Sequence, residues 1–128
     1  MVRWDVGGNM AESMFERYGG FATVNKIIMA FYDKALDSDV IGGFFEDIDM
    51  PTQIDHQTKF ISNVMGGPAS YTNEQLQRVH AHLKINTREF EEMASLLKQT
   101  LQDFELDPAD IDKIIDDIRG RSAFIINA

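Results

Sequence analysis

Apolar side chains recur every three to four positions along almost the whole of this 128-residue chain. That spacing collects them on one face of an α-helix, and the apolar–polar alternation typical of strands is missing. The clearest stripes lie over about 22–36 and over 107–120, where Pro108 can open a helix and Gly120 can close it. The sequence therefore predicts an all-α fold.

Capping and turn residues divide the rest of the pattern into further helices. Thr72 with Gln75, and Asn86 with Glu89, have the spacing of capping boxes, so a helix is predicted to follow each pair. Paired glycines close two earlier helices. The predicted spans are about 10–18, 22–36, 52–65, 72–82, 86–104 and 107–120, with one helical turn over 40–45.

The chain is predicted to form one domain. No repeat or Pro/Gly/Ser-rich linker interrupts the pattern, and 44% of the residues are hydrophobic, enough for one core. We expect this domain over 11–128, preceded by an N-terminal extension over 1–10 that lacks helical periodicity. No apolar run approaches the roughly 18 residues that a membrane span needs, and no secretory signal is visible. We expect a cytoplasmic protein, monomeric and without a membrane partner.

Charge and cysteine content exclude several classes of site. The net charge of −9 would repel nucleic acid and anionic lipid, so neither is an expected partner. Because the chain has no cysteine, disulfides, iron–sulfur clusters, thiolate-bound haem and c-type haem attachment are excluded. A metal would need histidine or oxygen ligands, and the histidines are His56, His80 and His82. The aspartates over 107–116 lack the glycine of a calcium loop and are predicted to be a solvated helix start.

His80 lies on the apolar face of its predicted helix. Leu76, Val79, His80 and Leu83 fall at i, i+3, i+4 and i+7, whereas His82 points the other way. A histidine on a buried face is more often a core residue than a metal ligand. This helix alone therefore leaves both roles open.

The helix predicted over 52–65 has two faces. Its core stripe consists of Ile54, Thr58, Ile61 and Met65. Its second stripe consists of Gln53, His56, Gln57, Phe60 and Val64. The second face is either a wide solvated surface with two apolar side chains or the half-polar wall of a ligand cavity. Tyr32 can donate a hydrogen bond into the same space, and Phe44-Phe45 adds flat aromatic surface.

An imidazole, hydrogen-bond donors and apolar walls are together the parts of a haem pocket. Haem iron takes an axial imidazole nitrogen, and a tyrosine hydroxyl or a glutamine amide stabilises a gas ligand that carries partial negative charge. A non-haem metal site through Asp55 and His56 is the alternative.

The same residues resemble those of the group I truncated haemoglobins, in order and in spacing. The similarity runs from about Glu12 to Phe124. It rests on Phe-Glu-Arg-Tyr-Gly-Gly at 15–20, Phe31-Tyr32, Phe44-Phe45, Gln57, Phe60, Met65-Gly-Gly-Pro68, Tyr71-Thr72 and Val79-His80. The resemblance implies a truncated globin fold, a two-over-two α-helical sandwich.

The resemblance also implies the roles of residues around a b-type haem. His80 would be the proximal iron ligand, and Phe45 would stack on the haem. Tyr32 and Gln57 would contact the bound ligand, with Gln53 as an additional distal residue. Further haem contacts would come from Phe60, Val79, Phe90 and Met93, and more of the pocket or its gas tunnel from Val64, Leu97 and Ile114.

His56 departs from the commonest pattern of this family. Many members have a long basic residue there that reaches a haem propionate, whereas a cyanobacterial subset has a histidine that binds the iron as a sixth ligand. The resemblance leaves both roles open for His56. Some of that subset attach haem covalently through a histidine in the last helix. This chain has no histidine after His82, so its haem is predicted to be non-covalent.

The resemblance implies reversible binding of dioxygen, nitric oxide or carbon monoxide, with oxygen transport as the associated role. The alternative is an enzyme, a nitric oxide dioxygenase, which would need an external electron donor or reductase. A haem-free helical interaction module is the third hypothesis. The absorption spectrum of the purified protein separates this third hypothesis from the other two.

Overall fold

Six α-helices and two 3-10 helices form the part of the chain that the computed structural model describes, residues 12–68, 72–81 and 83–128. The α-helices are α1 Met14–Arg17, α2 Phe21–Leu36, α3 Met50–Val64, α4 Asn73–His80, α5 Thr87–Asp103 and α6 Pro108–Gly120. The 3-10 helices are Gly42–Phe45 and Ser122–Phe124. No strand occurs in these ranges, so the predicted all-α class is confirmed. The predicted extension over 1–10 lies outside the described residues, as does His82.

Both predicted capping boxes are present. The side chain of Thr72 accepts a hydrogen bond from the backbone of Gln75, and that of Asn86 accepts one from the backbone of Glu89. Each partner side chain returns a bond to the backbone of its cap. The starts of α4 and α5 are therefore fixed by pairs of residues that lie within four positions of each other.

Some predicted boundaries differ from the structure, and one short element was not predicted. A capping box between Ser13 and Glu16 starts α1 at Met14, whereas the periodicity predicted a start near residue 10. Helix α4 ends at His80, two residues before the predicted end. The short 3-10 helix Ser122–Phe124 was not predicted, because three residues are too few to show a period.

Four helices pack as two pairs. Helix α2 contacts α3, and α5 contacts α6; the pairs meet where α2 crosses α5 and where α3 contacts α6. The predicted isoleucine stripe of α6 is buried in the core between them, at Ile111, Ile114, Ile115 and Ile118. Phe104, at the end of the helix predicted over 86–104, follows the last residue of α5 and is 37% exposed.

The glycine pair after α3 lets α1 approach closely. Gly66 has a φ of +85°, a conformation that glycine adopts without strain. A Cβ on Gly67 would lie 2.8 Å from the ring of Phe15, so only glycine leaves room for that buried side chain. The backbone N–H of Phe15 also donates to the carbonyl of Met65 over 2.9 Å.

Asp110 corrects the prediction of a solvated helix start. It is only 6% exposed, and its carboxylate accepts hydrogen bonds from Arg17 over 3.0 and 3.1 Å and from the Tyr18 hydroxyl over 2.6 Å. These two donors hold the pKa of Asp110 below its usual value. Burial is the main cause of the raised pKa of Tyr18, and the hydrogen bond to the carboxylate of Asp110 is the second cause. The contact is tertiary and could not be seen from the spacing of the aspartates.

None of the helices in the described ranges combines the length and the apolar character that crossing a bilayer requires.

Candidate functional site

A large cleft lies among α2, α3, α4 and α5. It encloses about 810 Å³ of space free of protein atoms, including the part that is open to solvent. Ligand sites in proteins typically have mostly apolar walls with a few precisely placed polar groups. The polar or titratable side chains in this lining are Tyr32, Gln53, Gln57, His80 and Glu89.

His80 reaches the cavity from the last residue of α4. Its Nδ1 lies 2.7 Å from the carbonyl oxygen of Leu76, one turn earlier in the same helix. Because a carbonyl can only accept, Nδ1 carries the hydrogen in this contact. In the neutral ring, Nε2 then has the lone pair. A metal-binding imidazole commonly has this form, in which one nitrogen binds the metal and a hydrogen bond from the other nitrogen fixes the orientation of the ring.

Tyr32 and Gln53 are joined in the lining of the same cavity. Gln53 Nε2 donates to the hydroxyl oxygen of Tyr32 over 3.1 Å. The Tyr32 ring is 4% exposed and packs edge-on against Phe45, with ring centroids 5.3 Å apart. A phenol that accepts a hydrogen bond still carries its own O–H donor. Gln57, one turn after Gln53 on α3, also lines the cavity.

Comparison with known proteins shows the protein family to which this chain belongs. Residues 13–126 match the bacterial-like globin family. A group 1 truncated haemoglobin of Synechocystis sp. is 30% identical over 95 residues, which cover 71% of this chain and 77% of that protein. This chain belongs to the group 1 truncated haemoglobins.

Solved structures confirm the fold of this truncated haemoglobin. The Fe(III) form of truncated haemoglobin from Tetrahymena pyriformis superposes with a TM-score of 0.82 at 23% identity, covering 91% of this chain and 100% of that one. The 2/2 haemoglobin of Synechococcus sp., in the cyanomet state with covalently attached haem, gives 0.78 at 26% identity, covering 89% and 98%. The predicted two-over-two sandwich is therefore confirmed, and globin membership implies that the chain binds haem.

The cavity of this truncated haemoglobin fits a haem chemically. It combines the imidazole of His80 with an apolar lining, which suits a flat hydrophobic macrocycle whose iron takes an axial nitrogen. Of the predicted lining residues, those found at the cavity are Phe45, Phe60, Phe90, Met93 and Leu97. Val64 and Ile114 do not line it. Val64 is the last residue of α3, and on α6 it is Ile118, one turn after Ile114, that reaches the cavity. The side chain of Val79 lies outside the described part of the chain.

His56 does not line the cavity of this truncated haemoglobin. Its side chain is exposed, although the helical phase predicted that it faces the same space as Gln57 and Phe60. Each helical residue turns by about 100°, so His56 lies about 60° to one side of Gln53 and about 100° from Gln57. That angle turns it away from the lining formed by the two glutamines.

Several cavity residues have no periodic signal in the sequence. Ile85 comes from the segment between α4 and α5, and Ile125 follows the last 3-10 helix. Leu83, which the apolar stripe of His80 did include, lies in the same segment as Ile85. Ile41 precedes the first 3-10 helix, and Glu89 is the capping-box glutamate of α5. Loop residues join a cavity through tertiary packing, so the pattern that found the helices could not find them.

Proposed function

We propose that this truncated haemoglobin binds dioxygen reversibly at a non-covalent b-type haem, with His80 as the proximal ligand. The observation that carries the proposal is one cavity lined by an oriented imidazole and by the hydrogen-bonded pair Tyr32 and Gln53. When bound, the haem supplies an iron atom with affinity for diatomic gases. Nitric oxide and carbon monoxide are further expected ligands.

His80 would hold the iron through Nε2. Donation from Nδ1 to the Leu76 carbonyl fixes the plane of the ring and increases the basicity of the other nitrogen. The contact is within one helical turn, so the ligand and its orienting group move together as parts of α4.

Tyr32 and Gln57 would stabilise the gas ligand, and Gln53 would orient Tyr32. A diatomic ligand that gains partial negative charge is stabilised by a phenol O–H or an amide N–H held at a fixed position. The bond from Gln53 to Tyr32 supplies that fixed position for the phenol. Aromatic side chains such as Phe45, Phe60 and Phe90 would pack against the macrocycle and exclude water.

Spectroscopy of the haem-loaded protein tests this proposal. The wild type should take up haem and show distinct ferric, deoxy-ferrous and oxygenated spectra, and His80→Ala should lose stable haem uptake unless imidazole is added. His82→Ala is the matched control and should retain haem. Uptake that survives His80→Ala but not His82→Ala would assign the iron to the other histidine.

Two further measurements test whether the haem is non-covalent and whether the protein binds oxygen reversibly or acts as an enzyme. Acid–ketone extraction should remove all colour from the polypeptide, because the chain has no cysteine and no histidine after His82. Colour that stays with the polypeptide contradicts a non-covalent haem. Catalytic nitrate formation by the oxygenated protein with nitric oxide and a reductase would support a nitric oxide dioxygenase, whereas stable reversible oxygenation without turnover supports oxygen binding.

A further inference from the structure

The side chain of Asn127, the second-last residue, holds the segment that follows His80. Its Nδ2 donates to the backbone carbonyls of His80 and of Ala81, each over 3.0 Å. Its Oδ1 accepts from the backbone N–H of Ile85 over 2.7 Å. The backbone N–H of Asn127 donates to the carbonyl of Ile85 over 2.9 Å. One residue of the C-terminal segment therefore makes four hydrogen bonds to the stretch between α4 and α5.

These bonds cap the end of α4. The last carbonyls of a helix have no partner within it, and a glycine just after the helix commonly provides the turn that satisfies them. The residues from Ala81 to Asn86 include no glycine. Leu83 N–H donates to the carbonyl of His80 over 3.0 Å, and Asn127 adds a second donor to that same oxygen. The cap comes from a residue 47 positions away in sequence.

The partners fix which way the Asn127 amide points. Only the NH₂ group can donate to two carbonyls, and only the oxygen can accept from a backbone N–H. A flipped amide would set its oxygen against the carbonyls of His80 and Ala81 and would lose all three side-chain bonds. The amide can therefore hold this segment in one orientation only.

The segment that carries Asn127 is itself anchored in the core. Ile125, two residues earlier, is 3% exposed and lines the cavity. The backbone N–H groups of Ile125 and Ile126 both donate to the carbonyl of Ser122, over 3.0 and 2.8 Å. Asn127 thus links a buried part of the cavity wall to the segment that contributes His80, Leu83 and Ile85 to the same cavity.

We propose that Asn127 is a positioning residue for the proximal histidine. The ring of His80 is held at Nδ1 by the Leu76 carbonyl, and its peptide carbonyl is held by Asn127. Together the two contacts fix the ring plane and the backbone from which the ring extends, and they would thereby set where His80 Nε2 is presented to a bound haem. This inference rests on the proposed function, in which His80 is the iron ligand.

The test is the isosteric variant Asn127→Asp in the haem-loaded protein. The carboxylate keeps the acceptor for Ile85, loses both donations and faces two carbonyl oxygens. We expect the iron–histidine stretching band of the deoxy-ferrous protein to shift or broaden in resonance Raman spectra. We also expect haem transfer to a scavenging apoprotein to accelerate by about 2- to 100-fold, the range for one or two net hydrogen bonds. Asn127→Gln, which keeps both donors, should recover part of each property.

Asn73→Ala is the matched control, because it removes the bond from Arg121 at the opposite end of α4, over 3.2 Å. It should leave the Raman band and the haem transfer rate as in the wild type. A wild-type band in Asn127→Asp overturns the positioning role, even if the unfolding midpoint falls. If the band is missing from the wild type or survives in His80→Ala, the assignment of His80 and this inference both fail. A band that depends on His80 but not on Asn127 overturns this inference alone.

Discussion

The Nε2 amide of Gln53 donates a hydrogen bond to the hydroxyl of Tyr32 over 3.1 Å, and both side chains line the cavity. Tyr32 is also packed edge-on against Phe31 and Phe45. These rings fix the Tyr32 ring by packing, and the Gln53 amide holds its hydroxyl oxygen by a hydrogen bond. Together they restrict the directions in which the Tyr32 O–H can donate. Tyr32 and Gln53 should therefore act on a cavity ligand as one unit.

Loss of the donors Tyr32 and Gln57 should speed the release of dioxygen. Each net hydrogen bond contributes about 0.5–1.5 kcal/mol, so the two together contribute about 1–3 kcal/mol. Stopped-flow measurement of the double variant Tyr32→Phe, Gln57→Leu should give release faster by about several-fold to a hundredfold. Release at the wild-type rate would remove both residues from the ligand site.

The effect of Gln53 should depend on Tyr32. In the wild-type background, Gln53→Leu removes the hydrogen bond that orients the Tyr32 hydroxyl, and dioxygen release should accelerate by about 2- to 10-fold, the equivalent of one net hydrogen bond. In a Tyr32→Phe background the same substitution should have almost no further effect. Gln57→Leu is the control, being the same residue type one turn later on α3, and its effect should persist in both backgrounds. Equal effects of Gln53→Leu in both backgrounds would mean that Gln53 acts without Tyr32.

His56 should have no part in the resting iron coordination, because its side chain is exposed and does not line the cavity. The deoxy-ferrous wild type should show a single broad visible band of five-coordinate haem, and His56→Ala should show the same band. Reaching the iron would require α3 to rotate or lean and to reorder residues, at a cost of about 1–2 kcal/mol for each newly fixed residue. Sharp, split bands that disappear in His56→Ala would show that His56 is a sixth ligand.

The buried carboxylate of Asp110 should stabilise the fold in a pH-dependent manner. Hydrogen bonds from Arg17 and Tyr18 lower the folded-state pKa of Asp110 below the unfolded value of about 3.9. The stabilisation is therefore fully present above about pH 4–5 and is lost as the pH falls through the folded-state pKa. Asp110→Asn should lower the free energy of unfolding at neutral pH by about 1.5–3 kcal/mol, the range for hydrogen bonds to a charged group.

Urea unfolding of Asp110→Asn and wild type between pH 7 and pH 2 measures this difference. The difference in the free energy of unfolding between the two proteins should decrease only below about pH 4. Asp112→Asn serves as the control, since Asp112 is exposed on the same helix, and it should be within about 0.5 kcal/mol of the wild type. If this difference stays constant down to pH 2, the ionised carboxylate of Asp110 contributes nothing to stability.

Features that depend on residues within about one helical turn could be predicted from the sequence. The capping boxes at Thr72 and Asn86 form as predicted, because each joins a cap to a residue three positions later. The isoleucine stripe of α6 is buried for a similar reason, since a period of 3.6 residues collects it on one face whatever lies opposite. The spacing also predicted His80, Tyr32 and Gln57, which the structure brings to one cavity.

Which apolar and polar faces meet in the fold depends on tertiary packing and could not be predicted from local patterns. A helical period gives the direction of a side chain but not the part of the helix that borders a cavity. Val64, predicted at the pocket or its gas tunnel, therefore does not line the cavity, whereas Ile118 does. Contacts such as Asp110 with Arg17 and Asn127 with His80 join residues 93 and 47 positions apart. These partners are set by how the helices and the C-terminal segment pack against one another. No local pattern encodes that packing, because the free energy that selects it comes from burying all the apolar faces together.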